Sequence, residues 1–324
     1  MKVLVTGGAG YIGSHTAQKL LDAGYEVVVL DNLTNGYTQL LSPHVEFIKG
    51  DTRDVELLTQ IFKDKKIEAV IHFAALKNVS ESILNPIEYY DNNYVGSLRL
   101  IEQTCRQQVP YFIFSSTAAV YKDPGKNLVN EKSPVAPITP YGKSKLMVED
   151  LLLDLPKLNS ISLRYFNVAG ACSQGQRGEV NLAPSTLIKI VSECAVGKRD
   201  SLQIHGTDFD TIDGTGVRDY IHVEDLADLH VESLKHLQKG GKSQTLNCGY
   251  SSGYSVREVI KTMEDVCGKK LKVIESPRRK GDLAQVVADT SLIQKTFGWK
   301  PRFNSLHEIC KSSYNWELQL LKGF

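Results

Sequence analysis

MKVLVTGGAGYIGS, residues 1–14, decides how the rest of the chain reads. Val3, Leu4 and Val5 form a bulky apolar run, Thr6 follows, and Gly7, Gly8, Gly10 and Gly13 then punctuate the start of a helical pattern. Such a stretch reads as strand, tight turn and helix. The spacing of Gly8, Gly10 and Gly13 matches the dinucleotide fingerprint, in which glycines permit the turn, close approach to a pyrophosphate and packing of helix on strand. The helix then aims its unpaired N–H groups and the positive end of its dipole at the phosphates. A glycine triplet alone is weak evidence. Here it sits at a strand-to-helix junction, a second strand follows over 26–30, and Asp31 ends that strand where an acid receives ribose hydroxyls. An ordinary glycine-rich turn would need three coincidences.

The alternation continues outward from this stretch. A third strand over 45–48 ends at Gly50 and Asp51, and is followed by a helix over 55–63 and a strand over 67–71. A long amphipathic helix over 87–107 leads to a strand over 111–114 that ends in Ser115, Ser116 and Thr117. A helix over 140–153 and a strand over 160–164 complete the half. Alternation of this kind predicts an α/β fold, a doubly wound parallel sheet of Rossmann type, with ligands beyond the carboxyl ends of the strands. Those ends collect the unusual residues: Gly7 to Gly13, Asp31, Asp51, and residues 73–77, 115–117 and 165–167. Past Gly170 the pattern loosens into loops over 171–180 and 207–216, with helices over 184–196 and 223–237 and a strand over 245–247. The expectation is a dinucleotide domain over 1–170 with a return over about 217–250. A smaller discontinuous α/β substrate domain then takes about 171–216 and 251–324, ending in a helix over 306–321.

Across 324 residues the formal net charge is +1, so no strong field draws the chain to nucleic acid or a membrane surface, and a small soluble partner fits better. The apolar runs near the N-terminus fall well short of the roughly 20 residues a membrane span needs. No charged leader precedes a cleavable apolar segment, and a soluble cytoplasmic protein is expected. Cys105, Cys172, Cys194, Cys248, Cys267 and Cys310 lie far apart without a Cys-x-x-Cys pair, and are expected to be reduced and mostly buried. The eight histidines offer no closely spaced zinc set, so no metal is expected.

Tyr141 and Lys145 are the sharpest chemical pair, four residues apart and so on one face of the expected helix. A phenol ionises near pH 10, so at neutral pH it is almost all in the wrong form to act as a base. A neighbouring ammonium favours the phenolate, each pKa unit being worth about 1.4 kcal/mol, and the positive ring of an oxidised nicotinamide acts the same way. Thr117 can place a hydroxyl beside the pair and shuttle a proton. On most helices such a pair is a surface tyrosine beside a solvated lysine, but the fingerprint upstream reverses those odds.

Further blocks stand in one order. They are Thr6-Gly-Gly-Ala-Gly-Tyr-Ile-Gly-Ser14, His72-Phe-Ala-Ala-Leu-Lys77, Tyr90-Asp-Asn-Asn93, Ser115-Ser-Thr-Ala-Ala-Val-Tyr121 and Tyr141-Gly-Lys-Ser-Lys145. Arg164-Tyr-Phe-Asn167, Asp213-Gly-Thr-Gly-Val-Arg-Asp-Tyr-Ile-His-Val223 and Arg278-Arg-Lys-Gly-Asp282 follow. Carrying them, the chain resembles the extended short-chain dehydrogenase/reductase (SDR) family over essentially its whole length, and within it the 4-epimerases that act on UDP-galactose. The resemblance implies tightly held NAD and inversion at C4 of a UDP-sugar substrate. Tyr141 takes the proton of the 4-hydroxyl while hydride passes to the nicotinamide, and the 4-keto sugar turns over about its diphosphate link and takes hydride back on its other face.

The same resemblance implies cofactor contacts from Gly7, Gly10, Tyr11, Ile12, Gly13 and Thr52, with Asp31 and Asn32 at the adenosine ribose and Asp51 at the adenine. Phe73, Ala74, Ala75 and Lys77 follow the fourth strand, with Lys77 at the pyrophosphate or nicotinamide ribose, and Ser115, Tyr141, Lys145 and Tyr165 complete the set. Asn93 is implied as an anchor of loops behind the cofactor. Asp31 argues for NAD over NADP, because a carboxylate repels a 2′-phosphate. Implied substrate contacts are Lys77, Thr117, Tyr141, Asn167, Asn181, Leu182 and Val286, with Arg218 and Arg279 clamping phosphates and Asp282 on the uridine ribose. A homodimer through the helices over 87–107 and 140–153 is implied as well, with Leu98, Leu100, Ile101, Leu146 and Leu151 available for its face or equally for the internal core.

Three departures bear on detail. Thr117 stands where many relatives carry serine, Val168 replaces a proline, and Val286 replaces the bulky tyrosine of relatives confined to plain hexoses, which leaves room for an acetamido group. Ala118 and Ala119 fill the places of the Asp-Glu pair with which a 4,6-dehydratase moves protons, so elimination is disfavoured, and the glutamate usual in decarboxylases is missing there. The intact Thr117, Tyr141 and Lys145 set argues against a non-catalytic NAD sensor.

Overall fold

Val3, Leu4 and Val5 are fully buried in β1 (Lys2–Thr6), and Gly7 turns the chain at once toward α1 (Tyr11–Asp22). Gly7 has φ +70°, and a Cβ there would lie 2.6 Å from the Ala74 backbone nitrogen. A Cβ on Gly13 would lie 2.3 Å from the Gly7 carbonyl oxygen, so backbone must approach backbone at both positions. The computed structural model describes every residue except Lys126, Leu182, Ala183, Lys280 and Phe324.

The chain divides into two compact units, the first comprising Met1–Tyr121, Pro134–Tyr165 and Ala227–Leu246. Along it follow β2 (Glu26–Asp31), β3 (Glu46–Lys49), α2 (Val55–Lys65), β4 (Ala69–His72), α3 (Val79–Leu84), α4 (Pro86–Tyr89) and α5 (Gly96–Arg106). β5 (Tyr111–Thr117), α6 (Pro140–Leu153) and β6 (Asn159–Tyr165) complete the run. The strands lie in the order β6-β5-β4-β1-β2-β3, all parallel, so the order reverses between β1 and β4. That reversal marks the crevice where doubly wound sheets bind ligands. Leu4, Leu58, Phe62, Phe112, Phe114 and Leu152 pack one face of the sheet against its helices. Thr139 caps α6 by accepting from Gly142 N–H, and Pro140 sits in the first turn, which places Tyr141 at the start of the helix.

The long helix expected over 87–107 is instead α4, a π-helical turn over Tyr90–Val95, and α5. The wide turn contains Asn93, which is buried, and Gly96 follows, where a Cβ would meet Thr52 Oγ1 at 2.7 Å. Leu100 and Ile101 lie in the core, the second of the two placements open to this set, and Leu98, Leu146 and Leu151 are half-buried. The exposed large apolar side chains of α3, α4 and α6 are Val79, Ile83, Leu84, Ile87, Met147 and Leu153.

The second unit comprises Lys122–Ser133, Phe166–Leu226 and Asn247–Phe324. Its elements begin with β7 (Asn167–Ala169), α7 (Leu187–Ala195), β8 (Leu202–His205), β9 (Val217–His222) and the start of α8 (Val223–Gln238). Through α8 the chain returns to the first unit, where β10 (Gln244–Cys248) adds a seventh strand beside β6. Thereafter come β11 (Gly253–Ser255), α9 (Val256–Cys267), β12 (Val273–Ser276), β13 (Gln285–Val286), α10 (Ser291–Phe297) and α11 (Leu306–Leu321). The return is Ala227–Leu246, shorter than the span of 217–250 read from the sequence, because β9 pairs with β7, β11 and β13. β8 and β12 make a separate parallel pair. Ile188, Val191, Ile204, Val259, Met263 and Ile309 form this unit's core.

None of the six cysteines is in a disulfide. Cys194, Cys248 and Cys310 are buried, Cys172 and Cys267 are half-buried and Cys105 is exposed, so half of them rather than most serve as packing residues. Among the described residues no helix is long and apolar enough to cross a membrane.

Candidate functional site

The glycine loop leaves the N-terminus of α1 without a side-chain cap, so the first N–H groups of the helix and its positive end remain available to an anion. A Cβ on Gly10 would meet nothing but the Gly7 carbonyl oxygen, at 3.2 Å, which leaves that side of the loop open. Tyr11 and Ile12, the next two residues, are half-buried. Asp31, at the carboxyl end of β2, accepts from Ala9 N–H at 3.0 Å and from Leu33 N–H at 2.8 Å, which ties the loop to the strand. Burial raises its carboxyl above the ordinary value, and the two backbone donors act the other way. An uncapped helix end, an open glycine and an acid at the neighbouring strand fit the pyrophosphate and ribose of a dinucleotide.

Next to Asp31, Asn32 donates to Asp51 Oδ2 at 2.9 Å. Arg53 donates to both Asp51 oxygens, at 2.8 and 2.9 Å, and to Asp91 at 2.6 Å. The guanidinium holds the Asp51 carboxyl well below the usual range. Asp51 is thus heavily bonded within the protein, and Thr52 turns its hydroxyl toward Gly96.

After β4 the loop of Phe73, Ala74, Ala75, Leu76 and Lys77 is anchored at both ends. Phe73 and Ala74 N–H donate to the Thr6 carbonyl at 2.9 and 3.1 Å. Asn93 accepts from Leu76 N–H at 2.8 Å and donates to its carbonyl at 2.9 Å. It also donates to Ser144 Oγ of α6 at 3.3 Å. The π turn thus positions the loop that presents the exposed Lys77.

On α6 the structure brings Tyr141, Lys145 and Thr117 together. Lys145, 3% exposed, donates from Nζ to the Ser115 carbonyl at 2.7 Å and lies 4.8 Å from the centre of the Phe114 ring. Burial pulls its ammonium down to about 7, with Glu149 acting in the opposite sense. Burial also pushes the Tyr141 phenol up, and its hydrogen bond with Thr117 pulls it back in part. Thr117 Oγ1 accepts from Ala119 N–H at 3.1 Å. Tyr165, opposite Thr117 in the β5–β6 register, shares a hydrogen bond with buried His230, whose ring lies 4.7 Å from that of Phe73. Sequence reasoning passed over His230 and Glu149 and met His72 and Arg164 only as the first residues of two motif blocks, with no role, since a lone buried polar residue carries no local signal.

In the second unit Arg218 and Val286 stand opposite each other in the β9–β13 register, and Arg218 donates to the Val217 carbonyl at 2.8 Å. Arg279 donates to Asp282 at 2.9 Å, and both act electrostatically on His205 at the end of β8. Asp219 accepts from the backbone N–H of Tyr250, Ser251 and Ala288, which pins β13 to β9. Asn167 opens β7, Asn181 is half-buried, and Leu182 lies outside the described residues.

The sequence profile of the NAD dependent epimerase/dehydratase family matches residues 3–249. The chain is 45% identical over 322 residues to a UDP-glucose 4-epimerase of Azospirillum brasilense, covering 98% of this chain and 92% of that protein. It superposes with a TM-score of 0.96, at 39% identity and full coverage of both chains, on a Stenotrophomonas maltophila UDP-glucose-4-epimerase crystallised with NAD and formylated UDP-arabinopyranose. It is also similar to the UDP-Glc/GlcNAc 4-epimerase of Campylobacter jejuni, with a TM-score of 0.86 and 44% identity over 98% of this chain and 99% of that one. By profile and by relatives matched nearly end to end, the chain belongs to the NAD dependent epimerase/dehydratase family.

Proposed function

We propose that this protein inverts C4 of UDP-hexoses, interconverting UDP-glucose and UDP-galactose. The observation that carries the proposal is the Tyr141, Thr117 and Lys145 cluster at the carboxyl end of β5, in the same unit as the dinucleotide cradle. The activity of the full-length relatives supports it. Ala118 and Ala119 favour epimerisation over elimination, because neither methyl group can move a proton.

NAD, when bound, supplies reversible hydride exchange with the sugar's C4. Tyr141 takes the proton of the 4-hydroxyl and gives it back to the 4-oxygen once C4 has been inverted, with Thr117 as the relay. Burial holds the phenol protonated in the free site, so its basic form arises when further positive charge enters beside it. Lys145 is held to its task by the Ser115 carbonyl. The cradle residues Gly7, Gly10, Tyr11, Ile12 and Gly13, with Asp31, Asn32, Asp51, Lys77 and Tyr165, are assigned to NAD. The UDP part is assigned to Asn167, Asn181, Leu182, Arg218, Arg279 and Asp282, which makes the first unit the NAD-binding domain and the second the UDP-sugar domain. A homodimer is part of the same proposal, its face taking Ile83, Leu84, Ile87, Met147 and Leu153, as is a cytoplasmic setting, in keeping with six cysteines outside any disulfide.

Activity on N-acetylated sugars is a second reading, favoured by Val286 in β13 and by similarity to an epimerase of UDP-Glc and UDP-GlcNAc. The test is to incubate the purified protein with UDP-galactose or UDP-GalNAc, without added NAD, and follow the 4-epimers. Tyr141→Phe should bind both ligands and turn over about 10²-fold more slowly or worse. Full activity in that variant overturns the assigned base, and no turnover of UDP-GalNAc refutes the second reading.

A further inference from the structure

Glu149 lies on the same face of α6 as the catalytic pair, one turn beyond Lys145 and two beyond Tyr141, and the scheme above leaves it idle. It is 3% exposed, and both its oxygens are engaged. Oε1 accepts from Ser116 Oγ and from Arg164 Nε at 3.0 Å, and Oε2 accepts from Arg164 Nη2 and, at 3.2 Å, from Nε. Ser116 and Arg164 stand directly opposite each other in the β5–β6 register. One carboxylate therefore ties α6 to two strands at one level. On one side of Ser116 is Ser115, whose carbonyl takes the Lys145 ammonium, and on the other is Thr117, which bonds Tyr141.

A buried ion pair of this kind is often no better for stability than apolar groups of the same volume, so stability alone does not account for its place. We propose that Glu149 is a positioning residue for the epimerisation. It fixes the edge formed by Ser115, Ser116 and Thr117 against α6, and it supplies the negative charge that keeps Lys145 an ammonium in a dry site. The inference rests on the reading of Tyr141 as the base.

The groups around the pair agree with this role. His72 on β4 is held neutral by burial, with Lys145 adding to the effect. Arg164 on β6 is positive and bound to Glu149, and its guanidinium lies 4.7 Å from the Tyr121 ring. Tyr89 on α4, which donates to Glu81, faces Tyr141, and Asp150 on α6 is exposed. Glu149 is the buried carboxylate of this set, and among the charges acting on Lys145 it is the one that favours the protonated form.

The pH profile of kcat for UDP-galactose tests the proposal on the NAD-bound protein. Glu149→Gln keeps an acceptor for Ser116 and removes the charge, so Lys145 loses its proton earlier and the alkaline limb should move down by about one pH unit or more. Glu149→Asp, which keeps the charge, should restore the limb whatever its kcat. If the glutamine variant does not fold, the paired variant Glu149→Gln with Arg164→Met carries the same test without leaving a lone guanidinium. An alkaline limb that stays in place in either folded variant overturns the proposal, because a merely structural glutamate would lower kcat without moving it. A Tyr141→Phe control separates the two failures: an inactive phenylalanine variant with an unmoved limb refutes the role of Glu149 alone, whereas an active one refutes the base.

Discussion

His72 should make the stability of the first unit fall with acid in a way a single substitution removes. The ring is 1% exposed at the end of β4, between two hydroxyls. Ser97 spends its proton on the Asn93 carbonyl, at 2.5 Å, so toward His72 Nε2, at 2.7 Å, it can only accept. Nε2 therefore carries the hydrogen, and Nδ1 accepts from Thr6 Oγ1 at 2.6 Å. A second proton on Nδ1 would break that bond inside a sealed site facing the Lys145 ammonium, and burial together with that charge pulls the imidazole down to about 3. Since the folded value lies below the unfolded one, near 6.5, the unfolded chain binds more protons between the two. The contribution is thus whole above about pH 6.5 and lost as pH falls toward 3, at about 1.4 kcal/mol per pH unit. Between pH 6 and 4.5 that amounts to about 2 kcal/mol. Other groups titrate in the same range with either sign, Asp219 among them, pushed up to about 6 by burial. The measurement is therefore a difference: denaturant unfolding followed by circular dichroism at pH 7, 6, 5 and 4.5, for the wild type and for His72→Gln. The variant should be less stable at pH 7, and the gap should narrow by about 2.5 kcal/mol by pH 4.5, most of it below pH 6. A gap that stays constant with pH refutes the neutral, doubly bonded histidine.

Two substitutions address the cofactor cradle. In Gly13→Ala the new methyl would lie 2.3 Å from the Gly7 oxygen and 2.7 Å from the Gly8 Cα, both backbone atoms, so the turn must open. A loss of about 1–3 kcal/mol and of co-purifying NAD is expected, and an unchanged melting temperature with full NAD counts against the cradle. Asn93→Ala strands the Leu76 N–H and carbonyl, at about 1–3 kcal/mol for each fully buried group and less here because Leu76 is half-buried. It should loosen the loop that carries Lys77 and weaken NAD in a calorimetric titration, and an unchanged affinity would show that this loop does not hold the cofactor.

The strand, turn and helix at the N-terminus were legible because a strand buried on both faces must be a continuous apolar run, and because backbone contacts as close as those at Gly7 and Gly13 admit no side chain. Strands of two or three residues, β7, β11 and β13, escape such a reading because nothing periodic fits in them. The π turn escaped for a related reason: Tyr90–Val95 keeps a helical pattern while adding to the width of one turn, which shows only as Asn93 pointing inward.

The candidate site divides along the same line. Tyr141 and Lys145 are four residues apart, and that spacing can be read from the chain, but it serves a solvated pair equally well. What separates the two cases is burial against the Ser115 carbonyl, Thr117, His72 and the Glu149–Arg164 pair, which reaches α6 from three strands. Local pattern shows the strand end that carries Ser115 and Thr117 but says nothing of the part played by His72, Glu149 and Arg164, because each of these side chains is buried by virtue of others far along the chain. Thr6 and His72, 66 residues apart, are the plainest instance. Buried polar groups of this kind fail singly and hold collectively. The chemical competence of the pair therefore belongs to the assembled ends of β1, β4, β5 and β6 rather than to the helix that carries it. A variant that keeps Tyr141 and Lys145 but loses His72 or Glu149 should retain the sequence signature and still depart from the wild type in its pH dependence.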